Sequence, residues 1–214
     1  MNPCRSLEKE SIFIVLTDNF YLYNGLAGLV SGREILHVDL GADEGIPSIS
    51  CNKHVVILID GLVFLSGNWA GFHSLASKYP AATMVWLTRE ETGHIFPCGR
   101  EGEVLLAQKS HPSLIRFFMQ QIITLPEVFS AVLGVVRPFI LTPTEKDIFF
   151  SLVYGGSVLQ LARKRKKTRK TIYSHQRSVV TKSGFKSVEF LRYVISYNKS
   201  VFNAKWWWIH VCKR

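Results

Sequence analysis

An α/β unit built on a doubly wound parallel sheet, followed by an all-α unit of four short helices, is the architecture this sequence predicts. Three features point to it. Short apolar runs alternate with helical patterning over residues 1–125, and from residue 141 onward amphipathic segments are bracketed by capping residues and glycines. Charge is also split between the halves: residues 1–141 hold 10 Lys/Arg and 13 Asp/Glu, whereas residues 142–214 hold 16 Lys/Arg and 3 Asp/Glu.

In the first part, residues 12–16 (Ile-Phe-Ile-Val-Leu) are a continuous apolar run that ends at Thr17, Asp18 and Asn19. Residues 21–30 carry a helical apolar period. Residues 55–59 (Val-Val-Ile-Leu-Ile) form a second run, ending at Asp60 and Gly61, and residues 83–87 a third, ending at Thr88. Residues 104–106 are a weaker fourth. A strand covered on both faces of a parallel sheet reads as such a run rather than as alternation. Ligands on these sheets sit beyond the carboxyl ends of the strands, so Asp18, Asp60 and Thr88 are expected to gather there.

Residues 122–141 are apolar but contain Pro126, Glu127, Arg137 and Pro138. Charges inside a membrane span are costly, so a linker over 126–140 is expected and no membrane partner. Cys4, Cys51, Cys98 and Cys212 are scattered, with no signal peptide read before them, which suits free thiols in a reducing cytoplasm. The seven histidines lack metal-ligand spacing, and no nucleophile–base–orienter set is visible. Neither an enzyme nor a bound cofactor is expected.

The second part opens at Leu141. Thr142 suits an N-cap, Pro143 the first helical position and Glu145 the far side of a capping box. Ile148, Phe149, Leu152 and Val153 supply an apolar face, and Gly155-Gly156 stops the helix. Ser157 caps a second helix with Val158, Leu161 and Ala162 inward. Thr168 caps a third, running to about Lys182, with Ile172, Val179 and Val180 buried. After Gly184, Ser187 starts a fourth with Val188, Leu191 and Val194 inward. With 16 Lys/Arg against 3 Asp/Glu this half carries a balance of +13, which implies a polyanionic or acidic partner for it.

Over roughly residues 10–125 the strand-end constellation resembles the receiver domain of two-component response regulators. That resemblance implies an acidic pair after the first strand that binds Mg²⁺, a phosphoaccepting Asp after the third, a hydroxyl after the fourth and a Lys after the fifth. Here the pair is Thr17-Asp18, one carboxylate short, while Asp60 matches the acceptor and Thr88 the hydroxyl. The Lys position aligns with Ala107, or with Lys109 after a shift of two. A hard-cation site depends on its oxygen ligands and charge, and phosphoryl oxygens on a fixed positive partner. The pocket of Asp18, Asp60 and Thr88 is therefore read as vestigial, with Mg²⁺ expected only if it functions, and the receiver-like scaffold as a surface for protein contacts.

Leu-Thr-Pro-Thr-Glu at 141–145, Gly-Gly at 155–156, Leu-Ala at 161–162, Lys-Thr-Ile-Tyr-Ser-His at 170–175 and Lys-Ser-Gly at 182–184 together resemble the LuxR-type helix-turn-helix. The resemblance implies an all-α four-helix DNA-binding domain over 141–198. Its third helix would lie in the major groove, with Tyr173, Ser174 and Arg177 facing base edges. Arg177 suits a bidentate contact to guanine. Lys166, Lys167, Arg169, Lys170, Thr171 and His175 are the expected phosphate contacts. That family usually has apolar residues where Arg165 and Lys167 stand; here the turn reads Arg163-Lys164-Arg165-Lys166-Lys167. Long basic stems can lie across apolar surface, and the run is expected to raise salt-sensitive, nonspecific affinity.

An incomplete receiver joined to such a reader resembles the auxiliary regulators exemplified by the capsule-synthesis activator, which work beside a conventional response regulator. The expectation is a cytoplasmic, phosphorylation-independent, DNA-binding transcription regulator. Its partners would be double-stranded DNA and either a second copy or another LuxR-type response regulator. A conventional response regulator phosphorylated on Asp60 is the alternative in the same class. A non-DNA-binding protein that sequesters another regulator is the alternative from a different one. The tail, residues 199–214, carries Trp206, Trp207 and Trp208, which are expected to divide between packing and contact surface.

Overall fold

The structure, a computed structural model, describes residues 10–30, 32–89, 96–97, 100, 103–122 and 140–198. In chain order these form β1 (Ser11–Leu16), α1 (Phe20–Leu29), β2 (Glu34–Val38), β3 (His54–Asp60), α2 (Val63–Ser66), α3 (Ala70–Lys78), β4 (Thr83–Thr88), β5 (Val104–Ala107) and α4 (Pro112–Gln121). Then follow α5 (Pro143–Val153), α6 (Val158–Arg165), α7 (Arg169–Lys182) and α8 (Val188–Tyr197). The chain divides into two compact units, the first built on the sheet with α1, α3 and α4, the second on α5 to α8. The expected linker core, the Trp206–208 cluster and three of the cysteines lie outside the described residues; Cys51 is an exposed free thiol.

The sheet has strand order β2-β1-β3-β4-β5, and β1 pairs in parallel with β2 and β3, as does β3 with β4. Side chains alternate across a strand. Phe13 and Val15, Val56 and Leu58, Val85 and Leu87, and Val104 and Leu106 share one face, where Leu26 of α1 and Ile115, Phe118 and Met119 of α4 cover them. The intervening residues, Ile12, Ile14, Leu16, Ile57, Ile59, Met84 and Trp86, are also buried. Trp69 and Phe72, at the start of α3, lie 6.3 and 5.5 Å from the Trp86 ring. Both faces are covered, which is the physical reason these strands carry unbroken apolar runs.

One strand is missing from the four runs that the sequence offers. β2 (Glu-Ile-Leu-His-Val) pairs only with β1 and leaves Glu34 and His37 exposed. An edge strand has one neighbour and a solvated side, so no apolar run is needed to specify it. The chain then passes from β2 to β3 through a loop fastened to α3. Lys78 Nζ donates to Ile46 O at 2.7 Å and to Ser48 Oγ at 3.1 Å, and Tyr79 Oη donates to Pro47 O. Gly71 N donates to Leu40 O at 2.9 Å. The approach is so close that a Cβ at Gly71 would stand 2.5 Å from Asp39 O and 2.8 Å from Leu16 Cδ1.

In the helical unit each start signal is used. Thr142, Ser157, Thr168 and Ser187 are extended N-caps whose hydroxyls accept from N3 backbone amides, and Pro143 opens α5. Thr142/Glu145 and Ser157/Gln160 are reciprocal capping boxes. Gly155 has φ +74° and Gly184 φ +75°, the left-handed conformations that end α5 and follow α7. Ile148, Phe149, Leu152, Leu161, Ala162, Ile172, Val179, Val180, Leu191, Val194 and Ile195 make the core. Val153, Val158 and Val188, expected inward, are only half-buried. They occupy first or last helical turns, where fewer neighbours close over a side chain.

Candidate nucleic-acid interface and strand-end site

At the carboxyl end of the sheet, Asp60 closes β3 and has no solvent exposure. Its carboxylate is already engaged. Thr17 Oγ1 donates to Oδ2 at 2.6 Å, Gln108 Nε2 donates to Oδ1 at 2.6 Å and Leu62 N donates to Oδ1 at 3.0 Å. Thr17 is itself fully buried and accepts from Asn19 N at 2.9 Å. Asp18 points elsewhere, its Oδ1 accepting from Leu40 N at 2.8 Å and so fastening the end of β2. Thr88 ends β4, half-buried, and is not among the donors to Asp60.

Of the expected trio, Asp18 turns to Leu40 N instead of to Asp60, and two residues outside the trio, Thr17 and Gln108, donate to the Asp60 carboxylate. Thr17 has the shorter side chain and a donor proton, so it can enter a buried site that would repel a second carboxylate. Gln108 lies between the two positions considered for the fifth-strand lysine, Ala107 and Lys109, and its amide donates to the carboxylate. A polar residue two positions after the last apolar run was the available signal. Among the described residues no group of three His, Cys, Asp or Glu side chains is placed to hold a metal ion.

The basic unit presents a different surface. An α-helix brings residues i, i+3, i+4 and i+7 to one side. On α7 that side is Lys170, Tyr173, Ser174 and Arg177, all exposed, with Tyr173 at 58%. The opposite side, Ile172, Gln176, Val179 and Val180, is buried. The three expected base-reading residues therefore share one open face. Of the expected phosphate contacts, Lys166, Lys167, Arg169 and Lys170 are exposed, whereas Thr171 and His175 are half-buried on the flank of α7. Thr171 also shares a hydroxyl hydrogen bond with Thr168 at 2.9 Å. Lys166 adopts φ +50°, a left-handed cap that turns the chain from α6 into α7.

Two ionic contacts brace this face from behind. Glu145, 4% exposed, completes its capping box by accepting from Thr142 N at 2.8 Å. It also accepts from Ser178 Oγ at 2.6 Å and Lys182 Nζ at 2.7 Å, both on α7. Burial works against ionisation of Glu145, but the bonds from Lys182, Ser178 and Thr142 outweigh it and hold the carboxyl at about 2. Arg165, the unexpected basic residue of the turn, is ion-paired with Asp147 of α5.

No protein-family model matches the chain, and no curated protein matches it. The likeness is to solved structures. A structure of two RcsB dimers bound to two parallel DNAs aligns with a TM-score of 0.56 at 15% identity, covering 87% of this chain and 98% of that one. A complex of the two-component response regulator RcsB with DNA gives 0.53 at 15% identity, covering 88% and 98%. RcsB from Salmonella enterica serovar Typhimurium, bound to promoter rprA in the presence of phosphomimetic BeF3−, gives 0.54 at 14% identity over the same shares. At such identities the likeness establishes the fold: a five-stranded parallel α/β domain joined to a helical domain.

Proposed function

We propose that this chain is a DNA-binding transcription regulator that acts as an auxiliary, phosphorylation-independent partner of another response regulator. In this reading residues 1–125 are a receiver-like domain, 126–140 a linker and 141–198 the DNA reader. The observation that carries it is the open face of α7. Tyr173, Ser174 and Arg177 project together from a helix whose other side is locked into a core, as major-groove reading requires. Lys166, Lys167, Arg169 and Lys170 lie at the amino end of the same helix, where they can hold phosphates. The structures it resembles are of RcsB dimers on DNA and of RcsB bound to DNA, which supports DNA binding and pairing for this chain.

Phosphorylation independence is supported by the strand-end site. A phosphoacceptor carboxylate must reach solvent and attack with a free oxygen, whereas Asp60 is fully buried and both its oxygens accept hydrogen bonds. This favours the auxiliary reading over phosphorylation at Asp60. Two experiments test the proposal. Arg177→Ala should lose selectivity at one base pair of a selected site, while Lys170→Ala should weaken all duplexes alike. Incubation with a small acyl phosphate and Mg²⁺ should leave Asp60 unlabelled and DNA affinity unchanged. Stoichiometric labelling with tighter DNA binding would restore the conventional response regulator instead.

A further inference from the structure

The run Arg163-Lys164-Arg165-Lys166-Lys167 contains five cations in sequence, and the fold does not treat them alike. On α6 the inward stripe is Val158, Leu161, Ala162 and Arg165, at i, i+3, i+4 and i+7. Leu161 and Ala162 are buried, and Val158 and Arg165 are half-buried. Arg165 therefore follows the core side of the helix, and its guanidinium ends on the Asp147 carboxylate of α5. Arg163 and Lys164 lie on the opposite side with Gln160, and all three are exposed.

The carboxylates of this unit are committed elsewhere. Residues 142–198 contain three, Glu145, Asp147 and Glu189. Glu145 is taken by Lys182 and Asp147 by Arg165, and Glu189 is drawn to its own backbone amide and to Ser187, with a weaker attraction to Arg192. Among the described residues, none forms an ion pair with Arg163, Lys164, Lys166 or Lys167. Four like charges within five residues repel one another and lower the stability of the unit unless a polyanion neutralises them.

We infer that this run is a divided device: Arg165 is an internal strut between α6 and α5, and Arg163 and Lys164 form a second phosphate-gripping row on α6, beside the one at the start of α7. The ligand is the sugar–phosphate backbone of duplex DNA, so the inference rests on the DNA-binding reading above. The two rows flank the left-handed turn at Lys166. A duplex whose groove receives α7 is then held through its backbone from α6 as well, which adds affinity without adding sequence information.

The test is the salt dependence of binding to a random-sequence duplex, measured by fluorescence anisotropy with the full chain and charge-removing variants. Each phosphate contact contributes about 0.9 to the slope of log Kobs against log salt. Arg163→Gln/Lys164→Gln should reduce the slope by about 1.8. Arg165→Met removes the same charge type two residues away, but supplies an apolar side chain to the inward stripe. It should keep the wild-type slope, with circular dichroism reporting an intact helical unit. An unchanged slope in Arg163→Gln/Lys164→Gln overturns the inference while DNA binding stands. So does a loss of about 0.9 in Arg165→Met. A wild-type chain that binds no duplex at any salt overturns the DNA-binding reading itself.

Discussion

Replacing Glu145 with Gln should destabilise the helical unit in a pH-dependent manner. The carboxyl is held at about 2 in the folded chain against 4.5 for the free group. That difference corresponds to about 3 kcal/mol of preferential stabilisation of the ionised form. Because the folded value is the lower one, the contribution is complete above about pH 4.5 and fades as pH falls towards about 2. Glutamine keeps an acceptor for Ser178 Oγ or Thr142 N but cannot carry the charge that Lys182 Nζ meets at 2.7 Å. Lys182 is 39% exposed and can turn back to water, so the loss at pH 7 should be about 2–3 kcal/mol rather than that of an orphaned buried cation. Urea unfolding followed by circular dichroism, from pH 7 to pH 2.5, supplies the measurement, and hydrogen exchange in α7 assigns it to this unit. Convergence of wild type and variant at low pH is expected. Equal stability at pH 7, or a gap that persists unchanged at pH 2.5, would refute the reasoning.

Gly71→Ala should cost about 1–3 kcal/mol, since its Cβ would stand 2.5 Å from a backbone carbonyl oxygen that cannot swing aside; thermal melting of the full chain reads this. Lys166→Gly should raise the stability of the helical unit by about 1 kcal/mol by relieving a left-handed φ of +50°. The same variant should lower the salt slope of DNA binding by about 0.9, so stability and affinity move in opposite directions. Asp60→Asn should leave regulation in cells unchanged, whereas Asp60→Ala should cost about 1–3 kcal/mol by orphaning the donors on buried Thr17 and half-buried Gln108. Arg177→Ala should lose about 1–3 kcal/mol on a selected site and almost nothing on random duplex.

Local signals were legible in the sequence and distant partners were not. Thr142 and Glu145 announce a capping box because both halves lie within four residues. Nothing local shows that the same carboxylate also meets Ser178 and Lys182, 33 and 37 positions away. The central strands were readable from their doubly covered runs, and β2 escaped because an edge strand with Glu34 and His37 exposed carries no such run. Asp60 was readable as the end of β3. Its donors were not, because Thr17 and Gln108 directly follow β1 and β5, 43 and 48 residues distant, and only strand order brings them together. Arg165 looked like a departure from an apolar position. Helical phase explains it: the position does face inward, and Asp147 on a neighbouring helix supplies the charge that an apolar residue would not need.

The central claim, that α7 reads duplex DNA and does so with a partner, is tested most directly by binding of the full chain to duplexes selected from a random pool. The measurement is a gel shift, made with the chain alone and again with a LuxR-type response regulator. Joining two readers makes the second half-site contact intramolecular and raises avidity by roughly 10² to 10⁴. The account predicts weak, salt-sensitive, mostly nonspecific binding by the chain alone, and a tight complex on an asymmetric site when the partner is added. Tight sequence-specific binding by this chain alone, unchanged by any partner, would contradict the auxiliary role, and failure to bind duplex under either condition would contradict the reading of α7.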